Sequence, residues 1–90
     1  MEKAVFLAIL EQIVAGFEDP TFRADYADAK ARGDVPRLLD LAMGVQRRAF
    51  GHHGLDDVAG SVQFKEAGRH FGLDGDVAPQ LARMKAALGK

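Results

Sequence analysis

The sequence predicts an all-α domain, a compact bundle of four or five short helices over residues 1–90. Apolar residues recur every three or four positions in five successive segments, as in amphipathic helices. No segment alternates apolar with polar residues, as a half-buried strand does. Glycine, proline or aspartate separates each segment from the next, which is typical of helix ends. Ninety residues can build only one substantial core, so we expect a single domain.

The first helix is predicted over residues Glu2 to Phe17. Counted from Phe6, its apolar positions are i, i+3, i+4, i+7 and i+11, and further apolar residues widen this face. A helix that is apolar on nearly every side is buried, so we expect it at the centre of the domain. Gly16 lies near its end, and Asp19-Pro20 stops it.

The second and third helices are predicted on either side of Gly33. The second, Thr21 to Arg32, has a thin apolar face and is expected to be peripheral. Asp34 is placed to cap the third helix, which ends at residues 51–54. This third helix is apolar on two sides, one formed by Leu38, Leu41, Ala42, Val45 and Ala49 and the other by Leu39, Met43 and Phe50.

The fourth and fifth helices are separated by a predicted turn at residues 72–75. Asp56 or Asp57 is placed to cap the fourth helix, in which Gly60 and Gly68 are unfavourable unless close packing requires them. Asp76 is expected to cap the fifth helix, which ends at Gly89. We assign the apolar stripe of the fourth helix to Val58, Val62, Ala67 and Phe71, with Phe64 beside it, and that of the fifth to Val77, Leu81, Met84 and Leu88.

The composition excludes several classes of function. The chain has no cysteine, so it has no disulfide, thiolate metal site or cysteine nucleophile, and a reducing compartment fits it best. Twelve basic and thirteen acidic residues give a formal charge of -1, too little to attract nucleic acid or anionic lipid strongly. The longest apolar stretch, Ala4 to Leu10, is too short to span a bilayer. We therefore expect a cytoplasmic or nuclear protein without a membrane partner.

The candidate chemical sites are weak. His52 and His53 are adjacent, and no third ligand is spaced to join them on a helix, so we expect no bound metal. Asp74-Gly75-Asp76 resembles the start of a calcium loop, but Lys85 stands where its distal glutamate would be. Ser61 and Thr21 lack the surroundings of a nucleophile. The sequence therefore predicts no cofactor and no enzymatic activity.

An alternative function is DNA binding through a helix-turn-helix, formed by the hairpin around residues 62–88. A small residue, a turn glycine and apolar anchors have the spacing of that motif. Asp74 and Asp76 oppose this alternative, because they lie where phosphate contacts are expected. The motif residues are Gly68, Gly72, Ala78 and Leu81, and the outward polar residues are Gln80, Arg83 and Lys85.

Protein–protein interaction is the function that the sequence favours. The first and third helices carry more apolar surface than a small domain easily covers, and a partner helix normally covers such an excess. That partner would be another protein or a second copy of this chain. On the third helix, we expect exposed anchors at Leu39, Met43 and Phe50, with Arg47 and Arg48 as a polar rim.

The order of these segments resembles the small eukaryotic "protein C-ten" family over nearly the whole chain. The similarity implies a eukaryotic intracellular helical protein that does not bind DNA. It supplies no catalytic or ligand residues, because the biochemical activity of that family is unknown. The segments that carry it are Ala15-Gly16-Phe17 with Pro20, residues 25–32, Ala49-Phe50-Gly51, the pair Phe64 and Phe71, and residues 81–88.

Overall fold

A computed structural model of the chain describes residues 1–88 and shows five α-helices and no strand in that range, which confirms the all-α prediction. The predicted limits of the first four helices agree with the structure to within about two residues, the usual uncertainty of helix ends. Gly89, the predicted end of the fifth helix, lies outside the described residues. The helices are α1 (Lys3–Glu18), α2 (Pro20–Ala31), α3 (Val35–His52), α4 (Asp57–Phe71) and α5 (Ala78–Ala87).

Aspartate side chains begin three of these helices. Asp19, Asp34 and Asp56 precede α2, α3 and α4, and each accepts one or two hydrogen bonds of 2.9–3.2 Å from backbone N–H groups of the first turn. These bonds satisfy donors that a helix N-terminus leaves without a partner. The structure thus confirms Asp34 as a cap and selects Asp56 for α4.

The prediction that Asp76 caps α5 is wrong. Val77 occupies the position before α5, and no side chain caps this helix. The carboxylate of Asp74 instead accepts a hydrogen bond of 2.9 Å from the backbone N–H of Asp76 itself. Lys3, at the start of α1, contacts the carboxylates of both aspartates, so the side chain of Asp76 lies against α1 and not over the first turn of α5.

The first helix is the centre of the fold, as the sequence predicts. α1 contacts each of the other four helices. A side chain at Gly16 would clash with α3, because a Cβ there would lie 2.6 Å from Cγ1 of Val45. This glycine therefore permits a close approach of two helices in addition to lying near a helix end. The buried residues of α1 are Phe6, Ile9, Leu10, Ile13, Val14 and Phe17.

The core consists of two clusters that meet at Phe64 and Met84, which pack against both. One cluster joins α1 to α2 and α3, and the other joins α1 to α4 and the start of α5. Phe6 stacks on Phe64 with ring centroids 4.8 Å apart and meets Phe71 edge-on at 6.0 Å. Aromatic contacts of this kind add to the stabilisation that burial provides.

The apolar stripe assigned to α4 is wrong in its first half, because Val58 and Val62 are exposed. Gly60 is buried there, and a Cβ on it would lie 3.1 Å from Cγ of Phe50. A Cβ on Gly68 would meet nothing within 4 Å, so close packing requires only the first of the two predicted glycines. The inward side of α4 consists of Gly60, Phe64, Ala67 and Phe71, spaced i, i+4, i+7 and i+11.

Candidate protein-interaction surface

The outer side of α3 carries a row of exposed apolar residues. Val35, Leu39 and Met43 lie one turn apart, and 58%, 58% and 46% of their respective surfaces are exposed. The opposite side of the helix packs into the core through Val45 and Ala49. Since α1 and α2 cover only that inner side, the outer of the two apolar sides of α3 is exposed to solvent.

The neighbouring helix extends this apolar surface. Val58 and Val62 of α4 are 74% and 53% exposed, and they line a groove of about 390 Å³ between α3 and α4. The two helices are close because Gly60 lies against the ring of Phe50. We call the exposed residues Val35, Leu39, Met43, Val58 and Val62 the α3–α4 face.

The structure brings together three of the five predicted interaction residues. Met43, Arg47 and Phe50 line the groove, and Leu39 lies one turn before Met43 on the same side of α3. Arg48 is separate, because successive helical residues differ by about 100° in direction. It lines a cleft on the other side of α3.

The expectation that Phe50 is exposed is wrong. Only 2% of its surface is exposed, and its ring meets that of Phe64 edge-on at 5.8 Å. It belongs to the core, although it is also one of the residues that line the groove. Sequence reasoning did not include Val35, Val58 and Val62 in the interaction surface. For the two valines of α4, the available signal was their spacing of four residues, which places them on the same side of the helix.

A more polar cleft of about 600 Å³ lies among α1, α2 and α3. Its charged lining residues are Asp19, Asp25, Asp40 and Arg48. The carboxylate of Asp19 is already used to cap α2. Among the residues that the structure describes, no three His, Cys, Asp or Glu side chains are grouped to hold a metal ion.

The two adjacent histidines occupy different surroundings at the end of α3. His52 is exposed, whereas His53 is half-buried and its Nε2 atom is enclosed without a hydrogen-bond partner in the described part of the chain. Gly54, which follows the two histidines, has a positive φ of +69°, whereas Gly51 is part of the helix. Neither histidine therefore has neighbours that indicate a ligand site.

The perturbed ionisable groups lie at the junction of α1 with the turn before α5. Nζ of Lys3 is 2.8 Å from Oδ2 of Asp74 and 3.2 Å from Oδ2 of Asp76. The hydrogen bond from Lys3 lowers the pKa of Asp74, and the same contact raises the pKa of Lys3. Both groups are on the surface, so this ion pair links the start of α1 to the turn before α5 and forms no reactive centre.

The proposed recognition helix of the DNA-binding alternative is α5. Its Arg83 contacts Glu18 of α1, with 2.6 Å between the guanidinium and the carboxylate. Acidic residues surround its beginning, since Asp74 and Asp76 both lie in the preceding turn. α5 also packs chiefly on α1 and not on α4, the helix that would complete the motif. No feature of this hairpin favours a nucleic-acid partner.

Comparison with known proteins does not assign the chain to a family. No family model, curated protein or solved structure matches the chain. The resemblance to the protein C-ten family therefore stays a prediction from the order and spacing of segments. None of the described helices combines the length and apolar character that crossing a membrane requires.

Proposed function

We propose that this protein is a non-enzymatic interaction module of the cytoplasm or nucleus, which binds a protein partner on its α3–α4 face. The partner is another protein or a second copy of the chain. The observation that carries the proposal is the exposure of Met43, Val58 and Val62 around one groove, with Val35 and Leu39 exposed on the preceding turns of α3. Contiguous apolar surface of this kind is typical of interaction sites, whereas single exposed apolar residues are common everywhere.

Helix stability does not explain the residues of this face. Val35, Val58 and Val62 are β-branched and exposed on helices, where valine is less favourable than alanine by up to about 0.7 kcal/mol per residue. They gain little from burial within the chain, since each is more than half exposed. A partner that buries them would supply the missing stabilisation.

The shape of the surface also supports a protein partner. The groove between α3 and α4 is concave, and the buried residue Phe50 is among those that line it. A concave apolar site surrounded by polar groups can receive projecting side chains of a second protein. Arg47, at the border of the groove, is placed to act as the predicted polar rim.

Site-specific photo-cross-linking in a eukaryotic extract tests this proposal. A benzophenone amino acid replaces Leu39, Val62 or, as the matched control, Leu73, which is fully exposed but lies in the turn before α5. We expect one protein to be cross-linked from positions 39 and 62 and not from position 73. A product of twice the mass of the chain identifies a second copy as that protein.

Two results would contradict the proposal. Equal cross-linking from all three positions would show that the α3–α4 face binds proteins no better than an exposed apolar residue elsewhere on the surface. Products that disappear after nuclease treatment would indicate a nucleic-acid complex and favour the helix-turn-helix alternative. Circular dichroism of each labelled chain confirms that the substitution leaves the helices formed.

A further inference from the structure

We infer that α5 is a hinged helix, which moves away from α1 as a unit while α1–α4 and the turn at residues 72–77 stay folded. Because α5 packs on apolar side chains of the core, this opening is a conformational device that uncovers part of the core. The inference concerns α5 alone and is independent of the α3–α4 face. It follows from the weak attachment of α5, the firm attachment of the turn before it, and one ion pair between α5 and α1.

The attachment of α5 is weaker than that of the other helices. Among the described helices, α5 alone lacks both a buried residue and a side-chain cap. It also packs chiefly on one helix, α1. Segments with few buried apolar contacts open at the lowest free energy, often as cooperative units. The helix that opens first in this fold is therefore α5.

The turn before α5 is firmly attached. Val77 is fully buried in the core cluster that joins α1 to α4. The carboxylate of Asp74 accepts a hydrogen bond of 2.9 Å from the backbone N–H of Asp76, and Nζ of Lys3 lies 2.8 Å and 3.2 Å from the carboxylates of these two residues. These contacts hold the turn against α1. The hinge therefore lies between Val77 and Ala78, where α5 begins.

One ion pair holds α5 against α1. Nη2 of Arg83 is 2.6 Å from Oε1 of Glu18, and no other ion pair joins α5 to another helix in the described part of the chain. The two side chains are 55% and 38% exposed, so the pair contributes modestly. Leu81 and Met84 are half-buried and pack on the core clusters. Opening breaks the ion pair and uncovers the core where these two side chains lie.

Amide hydrogen exchange of the full chain, followed by NMR at several urea concentrations below the unfolding transition, tests the inference. We expect the amides of α5 to be less protected than the slowest amides of α1 by at least about tenfold. The exchange of all α5 amides should accelerate together with urea, because opening as a unit exposes surface. The amides of α4 should remain slower than those of α5.

Two variants locate the hinge. A Glu18→Ala chain lacks the ion pair to α5, so its α5 amides should exchange about threefold faster, the size expected of an exposed ion pair. A Lys3→Met chain is the matched control, because the ion pair that it removes persists when α5 alone opens. Its α5 amides should exchange as in the parent, and only the slowest amides, which exchange through global unfolding, should be faster.

Four outcomes would overturn the inference. Protection of α5 equal to that of α1 would show that α5 opens only when the whole chain unfolds. Exchange of α5 that does not depend on urea would indicate fraying of single turns. Equal acceleration of α5 in both variants would show that the turn opens together with the helix. An unchanged α5 in the Glu18→Ala chain would remove the role of the ion pair. Circular dichroism confirms that each variant is folded, and the parent chain alone decides the first two outcomes.

Discussion

The helices α1 and α3 are both apolar on more than one side, yet the fold uses this property differently. α1 lies between four other helices, and six of its apolar side chains are buried. α3 packs inward through Val45 and Ala49 and leaves Val35, Leu39 and Met43 in solvent. The width of an apolar pattern therefore does not show whether the chain itself covers it. Topology decides this, because only a central helix has neighbours on every side.

The comparison separates two uses of apolar residues. In α1 they stabilise the fold, since each buried aliphatic or aromatic side chain contributes roughly 1.5–3 kcal/mol. In α3 the outer row contributes little to the isolated chain. Its large apolar side chains lie in solvent over two turns, together with two exposed valines of α4, and this exposure is the basis of the proposed partner site. Substitutions that affect only stability or only association would sharpen this distinction.

The largest expected effect contrasts the two sides of α3. Replacing Phe50 with alanine should lower the free energy of unfolding by about 3–5 kcal/mol, because its ring is buried in the core. Replacing Leu39 with alanine should change it by no more than about 0.5 kcal/mol, because that side chain is exposed. Urea denaturation followed by circular dichroism measures both. Similar losses from the two substitutions would remove the distinction.

A second contrast concerns two helical glycines. Alanine at Gly16 should cost about 1–3 kcal/mol, since its Cβ would overlap Val45. Alanine at Gly68 should stabilise the chain by up to about 1 kcal/mol, since its Cβ meets nothing within 4 Å and alanine favours helix. Chemical denaturation gives both values. As a control, the Gly16→Ala substitution should lower the free energy of unfolding by less in a Val45→Ala chain than in the parent. Strictly additive losses would argue against the close contact.

A smaller effect is expected at the beginning of α4. Replacing Asp56 with alanine removes the acceptor for two backbone N–H groups and should cost about 1 kcal/mol. Replacing Asp76, which caps no helix, should cost less. Thermal unfolding of the two variants, measured side by side at pH 7, checks the order. An equal or larger loss at Asp76 would contradict this order.

The smallest effect is the pH dependence of the ion pair between Lys3 and Asp74. The lowered pKa of Asp74 means that its contribution is present at neutral pH and lost as the pH falls through the folded-state pKa. The raised pKa of Lys3 means that its contribution is lost only as the pH rises through that value. The stability difference between the parent and a Lys3→Met chain should therefore be flat from about pH 5 to 9 and shrink on both sides. Urea denaturation across this range measures it, and an unchanged difference at acid pH would contradict the assignment.

Much of the fold could be predicted because it depends on interactions between residues that are close in the sequence. The helical spacing of α1, the proline and glycine breaks, and the aspartates before α3 and α4 act within a turn or two. The stripe of α4 could not be predicted in the same way. Gly60 is an inward position without a side chain, so a count of apolar residues passes over it and selects the exposed valines instead.

The candidate surface was predictable only in part. Leu39 and Met43 were placed correctly on an exposed side of α3, because the helical spacing separates them from Val45. The same spacing could not show that Phe50 turns under α4, since that depends on a contact with Phe64 across the chain. Nor could it show that Arg48 faces another cleft, which depends on where α1 and α2 lie.

The central claim is that the α3–α4 face serves a partner and not the fold of this chain. Urea denaturation of a Leu39→Glu, Val62→Glu chain tests it most directly, with Leu73→Glu as the control for charge in an exposed apolar position. We predict a free energy of unfolding within about 1 kcal/mol of the parent for the double variant, as for two independent surface changes. A loss of several kcal/mol, absent from the control, would show that the face is part of the core.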